Sequence, residues 1–275
     1  MNQVVVAGSF DDFRSPHVRF LDEASRLGEV HVLLWDDHMA RAIEGRGPKF
    51  PQEERLYIVQ AVRYVSGAAI VGGETGADAL PLTAGRRPDA WVSDEAGDNP
   101  ARRAFCRKHR LDFRVLTAKQ LAGIPSSPPA GARDMAPSSR KKVVVTGCYD
   151  WFHSGHVRFF EEVSELGDLY VIVGHDANIR LLKGEGHPLF PDTERRYVVG
   201  AIRLVKQALI STGTGWMDAE PEIKRIGADI YAVNEDGDKP EKREFCRQHG
   251  LEYVVLKRTP KAGLPRRQST DLRGF

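Results

Sequence analysis

Short runs of apolar, β-branched residues alternate with amphipathic stretches along the second half of this chain. The run "KKVVVTGC" predicts a buried strand that ends in a glycine turn. From residue 154 to residue 166, apolar side chains recur every three or four positions, which predicts a helix that Ser154 can cap and Gly167 ends. The pattern therefore begins with a strand, a turn and a helix.

The rest of this half continues the alternation. In order, it contains the strand "DLYVIVG", the helix "PDTERRYVVGAIRLV", the strand "QALIST", the helix "MDAEPEIKRIG", the strand "DIYAVN", the helix "KPEKREFCRQHG" and the strand "EYVVL". This order predicts a Rossmann-like α/β unit, a doubly wound parallel sheet covered on both faces. Ligands bind such sheets at the carboxyl ends of the strands, which is where the turn "GCYDWFHSGH" lies.

The same pattern occurs twice in the chain. Residues of the first half recur 139 positions later, and from Phe50 onward, which matches Phe190, the offset is 140. The stretch "GDNPARRAFCRKHRLDFRVL" matches "GDKPEKREFCRQHGLEYVVL". Before the change of offset, the matched pairs are Gly8 and Gly147, Asp11 and Asp150, His17 and His156, Arg19 and Arg158, and Phe20 and Phe159.

A stretch rich in proline, glycine, serine and alanine, "SSPPAGARDMAPSSR", separates the two copies and is typical of a linker. The sequence therefore predicts two tandem domains, residues 1–125 and 141–275, joined by a linker at 126–140. Two similar domains on one chain are expected to pack as a pseudo-twofold pair that imitates a homodimer, and a true homodimer remains open as well.

Composition excludes several classes of function. The 40 basic and 38 acidic residues are spread along the 275 residues, so no basic stripe predicts nucleic-acid binding. The three cysteines lack the spacing of metal ligands, and no metal site is predicted. With no secretory segment or membrane span in the sequence, we expect reduced thiols and a cytoplasmic protein.

The turn "GCYDWFHSGH" carries the strongest chemical signal. His153 and His156 lie three residues apart at the start of the predicted helix, so their imidazoles share one side. Gly155 between them lets a ligand approach the backbone. Because a helix N-terminus also offers free N–H groups and a partial positive charge, the turn predicts an anion site suited to phosphate.

Gly147, Asp150 and "HSGH" resemble the "GxFDxxHxGH" signature of the cytidylyltransferases, members of the nucleotidylyltransferase superfamily. The resemblance implies that the two histidines contact the triphosphate of CTP, with Mg²⁺ on the triphosphate. They would stabilise charge while a phosphomonoester oxygen attacks the α-phosphorus and pyrophosphate leaves. Cys148 and Tyr149 would line the nucleotide site through their backbone.

The resemblance extends along residues 141 to 275. Lys183 in "LLKGEGHP" matches a phosphate-binding lysine, and Arg195 in "DTERR" matches the arginine of the family's ER motif. Asp236 matches an acidic position after the fourth strand. "RRQSTDLRG" resembles the closing signature, which implies these ligands for the outgoing pyrophosphate: the hydroxyls of Ser269 and Thr270, Arg266 or Arg267 beside them, and Arg258 as a rival of Arg267.

The first copy lacks most of these groups. Arg14 replaces His153, and Glu44 and Ala96 replace Lys183 and Asp236. Pro16, which replaces Gly155, stiffens the turn, and an acid in place of the lysine would repel a triphosphate. We therefore expect residues 1–125 to be a degenerate domain that supports the second. Ethanolamine-phosphate cytidylyltransferases are similar in being tandem with one degraded half, usually the second.

The sequence thus predicts a cytidylyltransferase whose catalytic residues are His153, His156 and Lys183. It would condense CTP with a small phosphomonoester, leaving phosphoethanolamine, polyol phosphates and sugar phosphates open. Two alternatives remain at this point. One is an ATP-dependent adenylyltransferase, because "QSTDLR" also resembles the "SSTxIR" ending of ATP-using relatives. The other is a nucleotide-binding or scaffold protein without turnover.

Overall fold

A computed structural model describes residues 2–73, 76–81, 87–125, 138–268 and 272 of the chain. The chain divides into two compact units, Met1–Ile124 and Pro125–Phe275. The predicted linker falls at the beginning of the second unit, and its residues 126–137 lie outside the described residues.

The described residues of the first unit form five parallel strands and five helices. Its sheet has the order β3-β2-β1-β4-β5. In chain order, the elements are β1 (Gln3–Gly8), α1 (Ser15–Ser25), β2 (Glu29–Trp35), α2 (Asp37–Glu44), α3 (Gln52–Gln60), β3 (Val65–Val71), β4 (Ala90–Asp94), α4 (Pro100–His109), β5 (Asp112–Leu116) and α5 (Ala118–Leu121).

The second unit repeats this topology, since its sheet has the order β10-β9-β6-β7-β8 and all its strand pairs are parallel. Its elements are β6 (Lys142–Gly147), α6 (Ser154–Leu166), β7 (Asp168–Val173), α7 (Asp176–Lys183), α8 (Asp192–Gly200), β8 (Val205–Ile210), α9 (Glu220–Ile226), β9 (Ile230–Asn234), α10 (Pro240–His249) and β10 (Glu252–Leu256). The predicted fold class, two Rossmann-like α/β domains, is confirmed.

Buried apolar residues explain why these segments form a sheet covered by helices. In the second unit, Val144 of β6 and Ile172 of β7 pack with Tyr231 of β9, Ile223 of α9 and Phe245 of α10. An equivalent cluster in the first unit surrounds Val5, Trp91, Cys106 and Leu111. The β-branched runs of the sequence are thus the central strands, as in other parallel sheets buried on both faces.

Three details differ from the predicted elements. The helix predicted to run from Pro191 to Val205 ends at Gly200, because Val205 already pairs with Leu169 between β8 and β7. The helix α7 was not predicted; His175 caps it by accepting a hydrogen bond at Nδ1 from the Asn178 amide at 3.2 Å. A short 3₁₀ turn, Gly215–Met217, precedes α9.

The sheet order explains where the site lies. Strand β6 pairs with β7 on one side and with β9 on the other, so the chain reverses its winding direction at β6. The turn that follows β6 lies at this switch point, at the carboxyl ends of the central strands, where α/β sheets bind their ligands.

Candidate active site

An aromatic residue in a left-handed conformation shapes the turn after β6. Tyr149 has a φ of 56°, and its ring lies so close to the chain that a Cβ at Gly147 would be 2.8 Å from the tyrosine Cζ. Only glycine fits at position 147 without displacing this ring. The buried Tyr149 ring also packs against His156, with ring centroids 5.1 Å apart. Both residues therefore build the turn from which His156 projects.

The two histidines are held as a stacked pair at the start of α6. His153 is the N-cap, and its Nδ1 accepts a hydrogen bond from the Gly155 amide at 3.1 Å. His156 Nδ1 accepts from the His153 amide at 3.4 Å, and the ring centroids lie 3.9 Å apart. A Cβ at Gly155 would be 3.0 Å from the His153 ring, so this glycine permits the close approach of ring and backbone.

Both histidines are neutral in the folded protein at ordinary pH. Burial, together with the positive charges of Arg258 and Arg267, lowers the pKa of His153 to about 3. Burial and the neighbouring His153 lower the pKa of His156 well below its usual value. Because each Nδ1 accepts a hydrogen bond, the proton of each neutral ring lies on Nε2. Each ring is therefore an N–H donor.

The two histidines differ in their exposure. His156 lines an open cleft of about 350 Å³ above the carboxyl ends of β6, β7 and β9. His153 has no exposed surface, and the backbone carbonyl of Arg267 would lie 3.6 Å from a Cβ at Gly155 beside it. The segment around Arg267 thus passes close to His153, and only His156 faces the cleft directly.

The cleft brings together six of the residues that the sequence predicts: Gly147, Cys148, Tyr149, His156, Lys183 and Asp236. Lys183 lies at the end of α7 and is exposed. Burial raises the pKa of the Cys148 thiol, which favours the neutral form. Cys148 therefore lines the cleft as a neutral thiol.

Asp150 does not line this cleft. Its carboxylate accepts hydrogen bonds from the backbone amides of Leu189 and Phe190 at 2.9 and 3.0 Å. In the first unit, Asp11 accepts from the amides of Lys49 and Phe50 in the same way, at 2.7 and 3.0 Å. The expectation that Asp150 binds nucleotide is thus corrected: its oxygens fasten the turn to the segment before α8.

Arg195 requires a similar correction, because its guanidinium is buried and engaged within the protein. It donates to the carbonyl oxygens of Phe190, Cys148 and Gly174 at 2.8, 2.5 and 2.8 Å, and to Asp176 at 2.7 Å. With 2% of its surface exposed, Arg195 supports the turn instead of holding a phosphate.

The arginines near the end of the chain gather beside Gly155. A narrow pocket there is lined by Arg158, Arg258, Arg266 and Arg267, among others. Arg258 also lines the larger cleft and forms an ion pair with Asp236. The rival candidates Arg258 and Arg267 therefore lie in the same place, whereas Ser269 and Thr270 lie outside the described residues.

Comparisons with known proteins bear on the family of this chain. A family model described as Cytidylyltransferase-like matches residues 144–270. The FAD synthase of Ferroglobus placidus is 38% identical over 120 residues, which are 42% of this chain and 75% of that protein. The chain belongs to the cytidylyltransferase-like family.

Two further relatives support the assignment. The FAD synthase of Thermococcus kodakarensis is 37% identical over 123 residues, 43% of this chain and 80% of that protein. The Bifunctional protein HldE of Citrifermentans bemidjiense is 40% identical over 104 residues, 36% of this chain but 20% of that protein. The resemblance drawn from the "HSGH" turn is confirmed at the level of a nucleotidyltransferase family.

This member of the cytidylyltransferase-like family also has cleft residues that sequence reasoning missed. Asn178, Asp218 and Lys242 line the cleft together with Trp216, whose indole is 51% exposed. The repeat did contain a signal for two of them. Asp218 matches Asp78 and Lys242 matches Arg102, each 140 positions earlier, so the acid and the base occur in both copies.

The first unit keeps the scaffold of the turn without its phosphate ligands. His17 Nδ1 accepts from the Arg14 amide at 3.2 Å, which repeats the bond between His156 and His153. Arg14 forms an ion pair with Asp12. Trp35 stands at the position of Gly174 and, with Glu44, lines a cleft of about 490 Å³ in this unit.

Among the described residues, no group of three or more histidine, cysteine, aspartate or glutamate side chains could hold a metal ion. None of the helices in the described ranges is long and apolar enough to cross a membrane.

Proposed function

We propose that this protein transfers a nucleoside monophosphate unit from a nucleoside triphosphate to a phosphomonoester and releases pyrophosphate. The observation that carries this proposal is the meeting of His156, Lys183 and the N-terminus of α6 at one end of the cleft. A neutral N–H donor, an ammonium group and the partial positive charge of a helix N-terminus stabilise negative charge on phosphate oxygens. Phosphoryl-type transfer depends mainly on such positioning and charge stabilisation.

The reaction needs no nucleophile from the protein. A phosphate oxygen of the acceptor forms the new bond to the α-phosphorus, while the bond from that phosphorus to the β-phosphate oxygen breaks and its electron pair leaves with pyrophosphate. Neither histidine serves as a proton acceptor, because each Nδ1 accepts a backbone amide and each Nε2 carries a proton. His156 donates from Nε2 to the phosphate that gains charge.

His153 and the arginines near the end of the chain are assigned to the leaving group, pyrophosphate. The arginines beside Gly155 supply positive charge for pyrophosphate. The pocket between them, about 10 Å³, admits only a water-sized group, so pyrophosphate would bind at its mouth. His153 is covered in the described structure, beside the backbone of Arg267. Attacking and leaving groups lie roughly in line across the α-phosphorus, so the acceptor enters from the larger cleft, past Lys183 and Trp216.

Two nucleotides are candidates. The "HSGH" signature favours CTP, the nucleotide that its resemblance implies. The relatives named FAD synthase favour ATP, because FAD joins an AMP unit to the phosphate of flavin mononucleotide. We place ATP first and CTP second on this ground, and "QSTDLR" is consistent with that order.

Mg²⁺ is expected to arrive with the triphosphate. Its usual ligands in such sites are phosphate oxygens with one or two carboxylates, and several waters remain bound. Asp236 at the cleft offers one such carboxylate. Because no larger cluster of ligands exists in the described part of the chain, the donor set fits a metal carried by the substrate. Bound there, Mg²⁺ would supply charge neutralisation.

A pyrophosphate-release assay tests the proposal. The purified protein is incubated with Mg²⁺, each of the four nucleoside triphosphates and a panel of acceptors: flavin mononucleotide, glycerol phosphates, sugar phosphates, phosphoethanolamine and phosphocholine. Release that needs both substrates and is lost in His156→Ala supports the transferase. ATP dependence identifies an adenylyltransferase, and CTP dependence identifies a cytidylyltransferase. Nucleotide binding without release with any acceptor contradicts turnover and favours the scaffold alternative.

A further inference from the structure

A second pair of polar residues lines the same cleft as His156. Asp218 follows the 3₁₀ turn Gly215–Met217, and Lys242 lies in the first turn of α10. Both side chains line the cleft. Neither belongs to the motifs that carry the family resemblance, and the proposed phosphate chemistry does not use them.

The carboxylate of Asp218 is held in a fixed orientation. Its Oδ2 accepts a hydrogen bond from the Ser211 hydroxyl at 2.6 Å, and Ser211 itself accepts from the His175 amide at 3.0 Å. The Asp218 backbone carbonyl accepts from the Gly213 amide at 2.8 Å. In the described part of the chain, its Oδ1 has no hydrogen-bond partner.

Lys242 is partly buried and has spare donors. Its ammonium donates to the Gly237 carbonyl oxygen at 3.2 Å and lies 5.6 Å from the centre of the Tyr231 ring. Burial lowers the pKa of this ammonium, while the charge of Asp218 opposes the shift. The described residues offer it no direct ion pair, so up to two of its three N–H groups remain for a ligand.

In the first unit, the residues that match this pair are hydrogen-bonded to each other. Arg102, at the position of Lys242, donates to Asp78 at 3.0 Å and to the Ser93 hydroxyl at 3.2 Å. Asn99 also donates to Asp78, at 2.8 Å. Asp78 occupies the position of Asp218. Protein donors engage Oδ1 of the carboxylate in the first unit, whereas Oδ1 of Asp218 accepts no hydrogen bond from the described residues.

We propose that Asp218 and Lys242 select the acceptor substrate by binding a group whose hydrogen-bond donor and acceptor lie on neighbouring atoms. This inference rests on the proposed transferase function. Carboxylate oxygens only accept and an ammonium only donates, so the pair complements adjacent hydroxyls of a polyol or sugar, or the imide edge of a flavin ring. The trimethylammonium of phosphocholine offers no such group, and the ammonium of phosphoethanolamine is repelled by Lys242.

The position of Asp218 and Lys242 indicates that the group they bind belongs to the acceptor and not to the nucleotide base. Pyrophosphate is assigned to the arginines beside Gly155, and in-line attack brings the acceptor from the opposite side of the α-phosphorus. Asp218, Lys183 and Trp216 line the larger cleft and do not line the arginine pocket. A nucleotide base offers similar edges, and the experiment therefore measures both substrates separately.

Steady-state kinetics of Asp218→Asn and Lys242→Arg test the proposal. The arginine keeps the positive charge, but it can close onto Asp218 as Arg102 closes onto Asp78. We expect the KM of the acceptor to rise at least about tenfold in both variants, the loss of one charged hydrogen bond. The KM of the nucleotide should change less than about twofold. Lys224→Ala, which removes an exposed ion pair with Glu220 on α9, should behave as the wild type.

Two results would overturn this assignment: an unchanged acceptor KM in both variants, or a rise confined to the nucleotide KM. Thermal unfolding of each variant shows that the fold is intact. Calorimetric binding of flavin mononucleotide and of glycerol 3-phosphate separates the two proposals. If the wild type binds one of them, both variants lose that binding and no protein shows turnover, the transferase function fails while the acceptor site stands.

Discussion

The rings of His153 and His156 stack with their centroids 3.9 Å apart, and each ring uses Nδ1 to accept a backbone amide at the start of α6. This arrangement fixes both the protonation state and the direction of the donors. The neutral rings therefore donate N–H groups without carrying a positive charge. The positive potential around them comes from the helix N-terminus and from Arg258 and Arg267.

The first prediction compares His156→Ala with His17→Ala. Removal of the donor at His156 should lower kcat by about 10²–10³, the usual cost of losing one donor that stabilises transferred charge. His17 makes the same cap bond in the first unit, where Arg14 and Glu44 replace the phosphate ligands. Its removal should leave kcat within about twofold and lower only the stability, because substitution of a cap costs about 0.5–2 kcal/mol.

Steady-state kinetics and urea unfolding of both variants check this prediction. A folded His17→Ala protein without activity would show that the first unit takes part in catalysis. Equal loss of stability in the two variants, with unequal loss of activity, is the expected result.

The fold was predictable because its signals are local. Strand β6 and helix α6 follow from a β-branched run and from helical spacing, although His153 and not Ser154 caps α6. Helix α7 was missed because it has only eight residues and its cap, His175, is not a usual capping residue. The sheet order agrees with the general rule for alternating strands and helices.

The roles within the site were less predictable, because a motif does not separate ligand contacts from structural ones. Asp150 and Arg195 occur in the motif, yet the side chains of both bind the backbone. Their matches Asp11 and Arg55 persist in a unit that lacks the phosphate ligands, which is evidence for a structural role. Asp218 and Lys242 come from different elements, and only the fold brings them to one cleft.

The second prediction concerns the paired arginines Arg195 and Arg55. Arg55 donates to the carbonyls of Phe50 and Ser9 at 2.9 and 2.5 Å and to Asp37 at 2.8 Å, as Arg195 does at the equivalent positions. Substitution of either residue by alanine should lower the free energy of unfolding by about 3–5 kcal/mol, because buried acceptors and a carboxylate lose their partner. Chemical denaturation measures this loss. If the Arg195→Ala protein were stable and its nucleotide KM were raised, the result would instead support a direct contact between Arg195 and a phosphate.

The third prediction concerns Lys183, the exposed ammonium at the end of α7. Lys183→Ala should raise the KM of the nucleoside triphosphate by about 10- to 100-fold, the value of one charged hydrogen bond to a phosphate. Arg180→Ala is the matched control, because Arg180 lies on the same helix, is exposed and does not line the cleft. Equal changes of KM in the two variants would mean that α7 contributes only general positive charge.

The fourth prediction is a loss of stability in mild acid. The pKa of His17 is lowered to about 4 and that of His153 to about 3, both chiefly by burial, and the pKa of His156 is lowered as well. Unfolded histidines have a pKa of about 6.5. Below that pH the unfolded chain binds protons that the folded protein does not, so stability is complete above about pH 6.5 and falls as the pH falls toward 4.

Each of these histidines contributes up to about 1.4 kcal/mol per pH unit, so the three together contribute about 4 kcal/mol per pH unit near pH 5. Urea unfolding at pH 7, 6 and 5 measures the slope. The double variant His17→Asn and His156→Asn removes two of the three groups and should therefore lose about two thirds of this contribution, even if it is less stable at pH 7. A slope unchanged by the double substitution would show that these imidazoles are already protonated in the folded state, and the assignment of neutral N–H donors would then be wrong.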